Sequence, residues 1–249
     1  MELWFTEKHA PGVKLSIRVE RQLYCGQSEF QRIDVFESEE FGRFLTLDGY
    51  MMLTEKDEFI YHEMIVHVPM AVHPRVRRVL VIGGGDGGAV RELARYPDIE
   101  EIHVAEIDEQ VVSVCREYLP VTAFGPGEGL FTREFYGNCF KALKEDGIMV
   151  NQHESPFYSV DALAMQRAHK QIVKSFPVSR VYQAHIPTYP SGHWLFGFAS
   201  KKYHPLKDLD AKHWNERGIS TRYYNPKLHK GAFALPNYVE ELLRNVEEE

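Results

Sequence analysis

Arg78-Val-Leu-Val-Ile-Gly-Gly-Gly-Asp-Gly-Gly88, with Val90, Leu93 and Ala94 following at helical spacing, decides the fold of this 249-residue chain. The continuous apolar run before the glycines is typical of a strand buried on both faces. Gly83 to Gly88 then turn the backbone tightly and leave room for a ligand where a Cβ would collide. Glu101-Ile-His-Val-Ala-Glu106 reads as a second strand. Asp108 is placed to cap a helix carrying Val111, Val114, Cys115 and Tyr118. Strand, glycine turn, helix, strand and helix open a doubly wound sheet. Glu106, at the end of the second strand, is positioned to accept hydrogen bonds from the two hydroxyls of a ribose. Asp86 inside the turn would repel a pyrophosphate there but suits a cationic amine or a sulfonium. The turn therefore favours an S-adenosylmethionine-like ligand over NAD; the plainer alternative is a tight turn in which Asp86 merely caps its helix.

Outward from this core, residues 13 to 55 read as an antiparallel unit of three to five short strands. Val13 to Val19 alternates apolar and polar residues, and Asp48-Gly49 between two apolar runs signals a hairpin. Phe59, Ile60, Met64 and Val68 share a helical face that Pro69 and Pro74 should end. Toward the C-terminus the pattern predicts a helix from Thr132 to Lys144, a strand from Ile148 to Gln152 and a helix from about Val160 to Ser175. Strands at Val181–Ile186 and Trp194–Ala199 follow. The expected class is α/β, a Rossmann-like, methyltransferase-type, parallel-rich sheet in residues 56–249 behind a small N-terminal antiparallel β domain in residues 1–55. Between Glu106 and Ile148 such a sheet should contain another full strand, yet only the stub Val121 to Phe124 is present.

Composition narrows the function. The formal charge of −7 argues against a nucleic-acid partner. Cys25, Cys115 and Cys139 are widely spaced, as reduced thiols are, and no apolar run approaches the roughly 20 residues of a membrane helix. With no signal pattern at the N-terminus, the expected compartment is the cytoplasm. His62-Glu63 and His67 resemble a zinc helix, but the two histidines stand five residues apart rather than four and face different ways. No metal site is expected.

Phe59-Ile-Tyr-His-Glu-Met64, Val79 to Gly88, Val104-Ala-Glu-Ile-Asp108, Gly125-Pro-Gly-Glu-Gly-Leu-Phe131 and Arg222-Tyr-Tyr-Asn-Pro226 together resemble the spermidine synthases, the polyamine aminopropyltransferases. The likeness spans nearly the whole chain. It implies transfer of an aminopropyl group from decarboxylated S-adenosylmethionine, a co-substrate, to a diamine, usually putrescine, without metal or other cofactor, by a homodimer or homotetramer. It also implies site residues. Gln31, Gly83, Gly85, Asp86, Glu106 and Pro126 would hold the nucleoside, with Glu106 on the ribose and Pro126 against the adenine. Tyr61, His62, Asp86, Gln152 and one of Tyr223 or Tyr224 would hold the amine.

The chain departs from the family pattern between about residues 120 and 125. An acidic pair that reads the adenine, and a strand ending in Asp-Ser-(Thr/Ser)-Asp-Pro that supplies the general base, should stand there. No Asp lies between Glu117 and Glu128, so the catalytic base is unknown. Loss of a central strand should cost more than the ordinary stability of a domain. The expectation is therefore a working polypeptide that carries the segment. A chain truly lacking it would be a catalytically dead nucleoside- or polyamine-binding homologue. A class I S-adenosylmethionine-dependent methyltransferase shares the glycine turn and Glu106, but not the N-terminal β unit or the Tyr61-His62 pair.

Overall fold

The computed structural model describes residues 2–119 and 133–247. Gly125, Pro126 and the stub at 121–124 lie outside the described residues, as does Thr132. The chain divides into two compact units. One comprises residues 1–62 and 77–128, the other 63–76 and 129–249.

The first unit begins with the hairpin β1 (Leu3–Ala10) and β2 (Val13–Val19), followed by the antiparallel sheet β3 (Arg21–Gln27), β4 (Arg32–Ser38), β5 (Gly42–Leu47) and β6 (Tyr50–Thr54) in sequential order. Five strands, β2 to β6, stand in residues 13–55, where three to five are expected, and β1 precedes them unpredicted. β1 escapes a hydrophobicity reading because one of its inward positions is Glu7, buried with its carboxylate accepting the Met51 N–H at 3.1 Å. The predicted β5–β6 turn is present, with φ of 50° at Asp48 and 81° at Gly49, both positive as a type I′ turn requires. Phe5, Ile17, Val19, Phe44 and Met51 form one core of this unit.

β7 (Arg78–Ile82), the short helix α2 (Gly88–Leu93), β8 (Glu101–Ala105) and α3 (Glu109–Tyr118) complete the unit in the predicted order. β7 and β8 pair in parallel from Arg78↔Glu101 to Ile82↔Ala105. Asp108 caps α3 by accepting the Gln110 N–H at 3.0 Å. One apolar face of α3, made of Val111, Val114 and Cys115, packs with Ile33, Val35, Leu45 and Leu53, which ties the glycine-turn elements to the β3–β6 sheet.

The long helix α1 (Glu58–Met70) contributes Glu58 to His62 to the first unit and the rest to the second. It runs one residue past Pro69. Pro69 cannot donate to the carbonyl four residues before it, and with one helical residue left after it the helix stops there rather than kinking.

In the second unit α4 (Arg133–Ala142), β9 (Ile148–Gln152), α5 (Ser159–Ser175), β10 (Val178–His185) and β11 (His193–Ser200) follow in order; the three strands form an antiparallel sheet, order β10–β11–β9, with α5 against it. Met165 of α5 joins Val181, Leu195, Val239 and Leu243, while Ile172, two turns further along the same face, joins Tyr136, Phe176 and Ala199. Three helices that the sequence pattern leaves unassigned, α6 (Ala211–Glu216), α7 (Pro226–Ala232) and α8 (Asn237–Glu247), close the chain. Among the described residues the parallel pairing is confined to β7 and β8. No helix among them is long and apolar enough to cross a membrane.

Candidate functional site

β7 delivers the chain into the turn, and Gly83 extends the ladder by donating its N–H to Ala105 O at 2.7 Å. Gly85 then donates its N–H to Glu106 Oε2 at 2.9 Å, and the other Glu106 oxygen accepts the Asp108 N–H at 3.1 Å. A Cβ on Gly85 would stand 3.0 Å from the Glu106 side chain, so a glycine is needed for the carboxylate to come this close. The predicted partnership of glycine turn and acidic residue is therefore a direct contact, and the carboxylate is oriented by two backbone amides before any ligand arrives.

Asp86 accepts the Gly88 N–H at 2.8 Å and lies 3.0 Å from His62 Nε2. His62 Nδ1 lies 2.6 Å from Glu58 Oε2. Glu58 is in turn clamped by Arg91, whose Nη1 and Nη2 donate to its two oxygens at 3.0 and 2.9 Å. Arg91 Nε and Arg95 Nη1 both reach Glu92. Burial alone would push the His62 imidazole down. The Asp86 charge and hydrogen bond, joined by Glu58, outweigh it and raise the group to about 9. Burial would raise Asp86, but the His62 charge wins and holds it below the usual carboxylate value. Tyr61 sets its ring edge against His62, with ring centroids 5.4 Å apart.

Gln31 does not project freely. Its Nε2 donates to Asp108 Oδ2 at 2.9 Å, the same oxygen to which Ser28 Oγ donates at 2.6 Å. Gln31, Gly83, Gly85, Asp86 and Glu106, with Tyr61 and His62, all belong to the first unit. Pro126 lies outside the described residues.

Gln152 and Tyr223 belong to the second unit. Gln152 ends β9, its Nε2 standing 3.5 Å from Glu154 Oε1. Glu154 has φ of 64°, in the left-handed region that a non-glycine residue seldom occupies. Burial, reinforced by the charge of Asp161, pushes its carboxyl up to about 7. Tyr223 and Tyr224 differ in packing. Tyr224 is buried, its hydroxyl 2.9 Å from His229 Nδ1 and its ring against Trp214 and His67. Tyr223 is half-buried, and its hydroxyl accepts the His185 N–H at 3.1 Å. Glu63 holds this segment by accepting the N–H groups of Arg222, Tyr223 and Tyr224, each at 2.8 Å.

Glu58, Arg91, Glu63 and Glu154 are given no role in the sequence reading, where Glu63 enters only within the rejected zinc pattern and the Phe59–Met64 motif. Glu58 had a usable signal, since it stands four residues before His62 on the same helical face. Glu63 and Glu154 had none, because their roles depend on backbone amides far along the chain and on a single left-handed residue.

The spermidine synthase tetramerisation domain matches residues 3–55, and the spermine/spermidine synthase domain matches residues 58–125 and 122–211. The chain is 62% identical to a polyamine aminopropyltransferase of Clostridium perfringens and 61% identical to one of Alkaliphilus oremlandii. Each comparison covers 100% of both chains. These alignments run over 284 positions against the 249 residues of this chain, and the two pieces of the synthase-domain match meet at residues 122–125. Among solved structures, spermidine synthase from Thermotoga maritima superposes with a TM-score of 0.93 at 40% identity, covering 97% of this chain and 94% of that one. A spermidine synthase in complex with the transition state analogue AdoDATO superposes at 0.92 and 40%, covering 98% and 94%. With an oriented Glu106, a charged Asp86–His62 pair in the glycine turn, and family matches along most of its length, the chain belongs to the spermine/spermidine synthase family.

Proposed function

We propose that this protein transfers an aminopropyl group from decarboxylated S-adenosylmethionine to putrescine, giving spermidine and methylthioadenosine. The observation that carries the reading is the pairing of a ribose-directed carboxylate, Glu106, with a second carboxylate, Asp86, inside the same turn, in a chain whose full-length relatives are polyamine aminopropyltransferases.

The chemistry is an in-line displacement. The amine nitrogen of the acceptor attacks the methylene carbon beside the sulfonium. The C–N bond forms as the C–S bond breaks, the electron pair returns to sulfur as a neutral thioether, and the nitrogen gives up one proton. The sulfonium already provides the leaving group, so positioning supplies most of the acceleration and no metal or other cofactor is required. In this assignment Glu106 holds the ribose hydroxyls, and Gly83 and Gly85 let the nucleoside approach the turn. Asp86 seats the cationic aminopropyl end. Gln31 acts indirectly, by fixing Asp108 at the base of the nucleoside subsite, while Pro126 lines the adenine. Tyr61, His62, Gln152 and Tyr223 hold the diamine, whose far ammonium suits aromatic faces and carboxylates. Residues 1–55 assemble the protein as a homodimer or homotetramer, and the compartment is the cytoplasm.

The 284-position alignments and the broken synthase-domain match favour a second reading beside it, a homologue that binds the nucleoside without turning it over. Incubation with decarboxylated S-adenosylmethionine and putrescine, with chromatographic detection of both products, separates the two. Product formation, with an intact mass above 28.9 kDa, supports the transferase with its base in the additional segment. A mass of 28.9 kDa, no product, and ligand-induced thermal stabilisation support the binding homologue.

A further inference from the structure

We propose that His62 is a resident cation which the ligand's ammonium replaces at Asp86, so that each cationic nucleoside bound releases one proton from His62. The inference rests on the assignment of Asp86 as the seat of the aminopropyl amine.

A chain of ion pairs runs from the glycine turn before any ligand is present. Three carboxylates, Asp86, Glu58 and Glu92, face three cations, His62, Arg91 and Arg95, in one connected chain of ion pairs. Two neighbouring groups complete the surroundings of Asp86. The Glu106 carboxylate is held by the Gly85 and Asp108 amides, and the buried Cys115 thiol stays neutral because burial, with the charges of Asp86 and Glu106, pushes it up. A ligand ammonium arriving at Asp86 puts a second cation beside the His62 imidazolium at one carboxylate, and the two like charges repel. The two guanidiniums cannot relieve it, because arginine does not deprotonate in proteins. His62 can.

The geometry prepares the neutral form. When the proton leaves, Glu58 still accepts from Nδ1–H of the imidazole at 2.6 Å, which selects that tautomer and leaves the Nε2 lone pair directed toward Asp86. A ligand ammonium there can donate one N–H to Asp86 and another to Nε2. The ring is buried and packs directly over Gly88, where an added Cβ would come within 2.2 Å of it. The balance at Asp86 is one ammonium bound and one imidazolium proton released to solvent, the sulfonium charge of the ligand being additional.

A nucleoside without a cation makes no such exchange. Methylthioadenosine, the product of the proposed reaction, would bind with His62 still protonated and with an affinity indifferent to pH in this range. The cationic co-substrate would bind more tightly as pH rises. His62 would thus bias the site toward the co-substrate at alkaline pH.

Calorimetric titration at pH 7.5 in two buffers of different ionisation enthalpy counts the protons. Decarboxylated S-adenosylmethionine should release close to one proton per site and methylthioadenosine none, and His62→Gln should abolish the release while both ligands still bind. In the unaltered protein the dissociation constant of the cationic ligand should fall by about tenfold per pH unit between pH 7 and 8.5. Binding of that ligand with no proton release, or release undiminished in His62→Gln, overturns the proposal and leaves the Asp86 assignment standing. Methylthioadenosine binding without any binding of the cationic ligand overturns the assignment itself. Should His62→Gln fail to fold, the pH series on the unaltered protein decides alone: a flat dissociation constant sinks the idea.

Discussion

The Gly85 N–H and the Glu106 carboxylate, 2.9 Å apart, make the glycine turn and the end of β8 a single unit. Glu106→Ala removes the acceptor of two backbone amides and leaves them unsatisfied. The expected cost is about 1–3 kcal/mol in urea unfolding, with loss of measurable methylthioadenosine binding. Gly85→Ala should weaken the nucleoside while costing less stability, since only the Glu106 side chain must shift. Equal affinities in Gly85→Ala and the unaltered protein would remove the turn from the binding site.

His62 gives stability a pH signature. Its folded value, about 9, stands above the ordinary 6.5, so its contribution is complete below pH 6.5 and is lost as pH rises through 9. The melting temperature should decline over that window, by an amount equivalent to about 3 kcal/mol. Asp86 works in the opposite sense: its lowered value contributes above its unfolded value and is lost as pH falls. Thermal melts of His62→Gln from pH 6 to 9.5 should be flatter than those of the unaltered protein.

Glu154 shares the sign of His62 and opposes that of Asp86. Its carboxyl is raised from 4.5 to about 7, so the folded state holds a proton that the unfolded state has released, and stability falls as pH climbs from 4.5 to 7. Glu154→Gln should match the unaltered protein at pH 4.5 and exceed it by about 2 kcal/mol at pH 8, allowing for partial exposure. Denaturant melts at the two pH values compare them.

Glu63→Gln should cost about 1–3 kcal/mol, because an amide in its place presents a donor to backbone N–H groups that need an acceptor. Tyr223 would lose its fixed position. In steady-state assays KM for the amine should rise more than KM for decarboxylated S-adenosylmethionine; an equal rise in both would detach Tyr223 from the amine subsite.

Much of this was legible in the sequence, for identifiable reasons. Strand, glycine turn, helix and strand follow one another within 30 residues, so the Gly85–Glu106 contact is a matter of local register. Asp48-Gly49 and the Asp108 cap are equally local signals. What escaped depends on distant chain. Tyr223 and Tyr224 are adjacent and chemically alike, and only packing around Trp214 and His67 sends the second inside. Gln31 carries a side chain suited to a ligand, yet Asp108 takes its amide from 77 residues away. β1 was hidden by the inward-facing Glu7, and α6 and α7 are too short to establish a period.

The grip of Glu63 is on main chain alone. Its carboxylate touches three consecutive amides and is indifferent to what residues 222 to 224 carry beyond their Cα atoms. For an engineer seeking a different amine acceptor, that separates shape from identity. Tyr223 can be varied in a library while helix α1 keeps the segment's path, whereas Tyr224, sealed into the interior, and Glu63 itself belong to the scaffold.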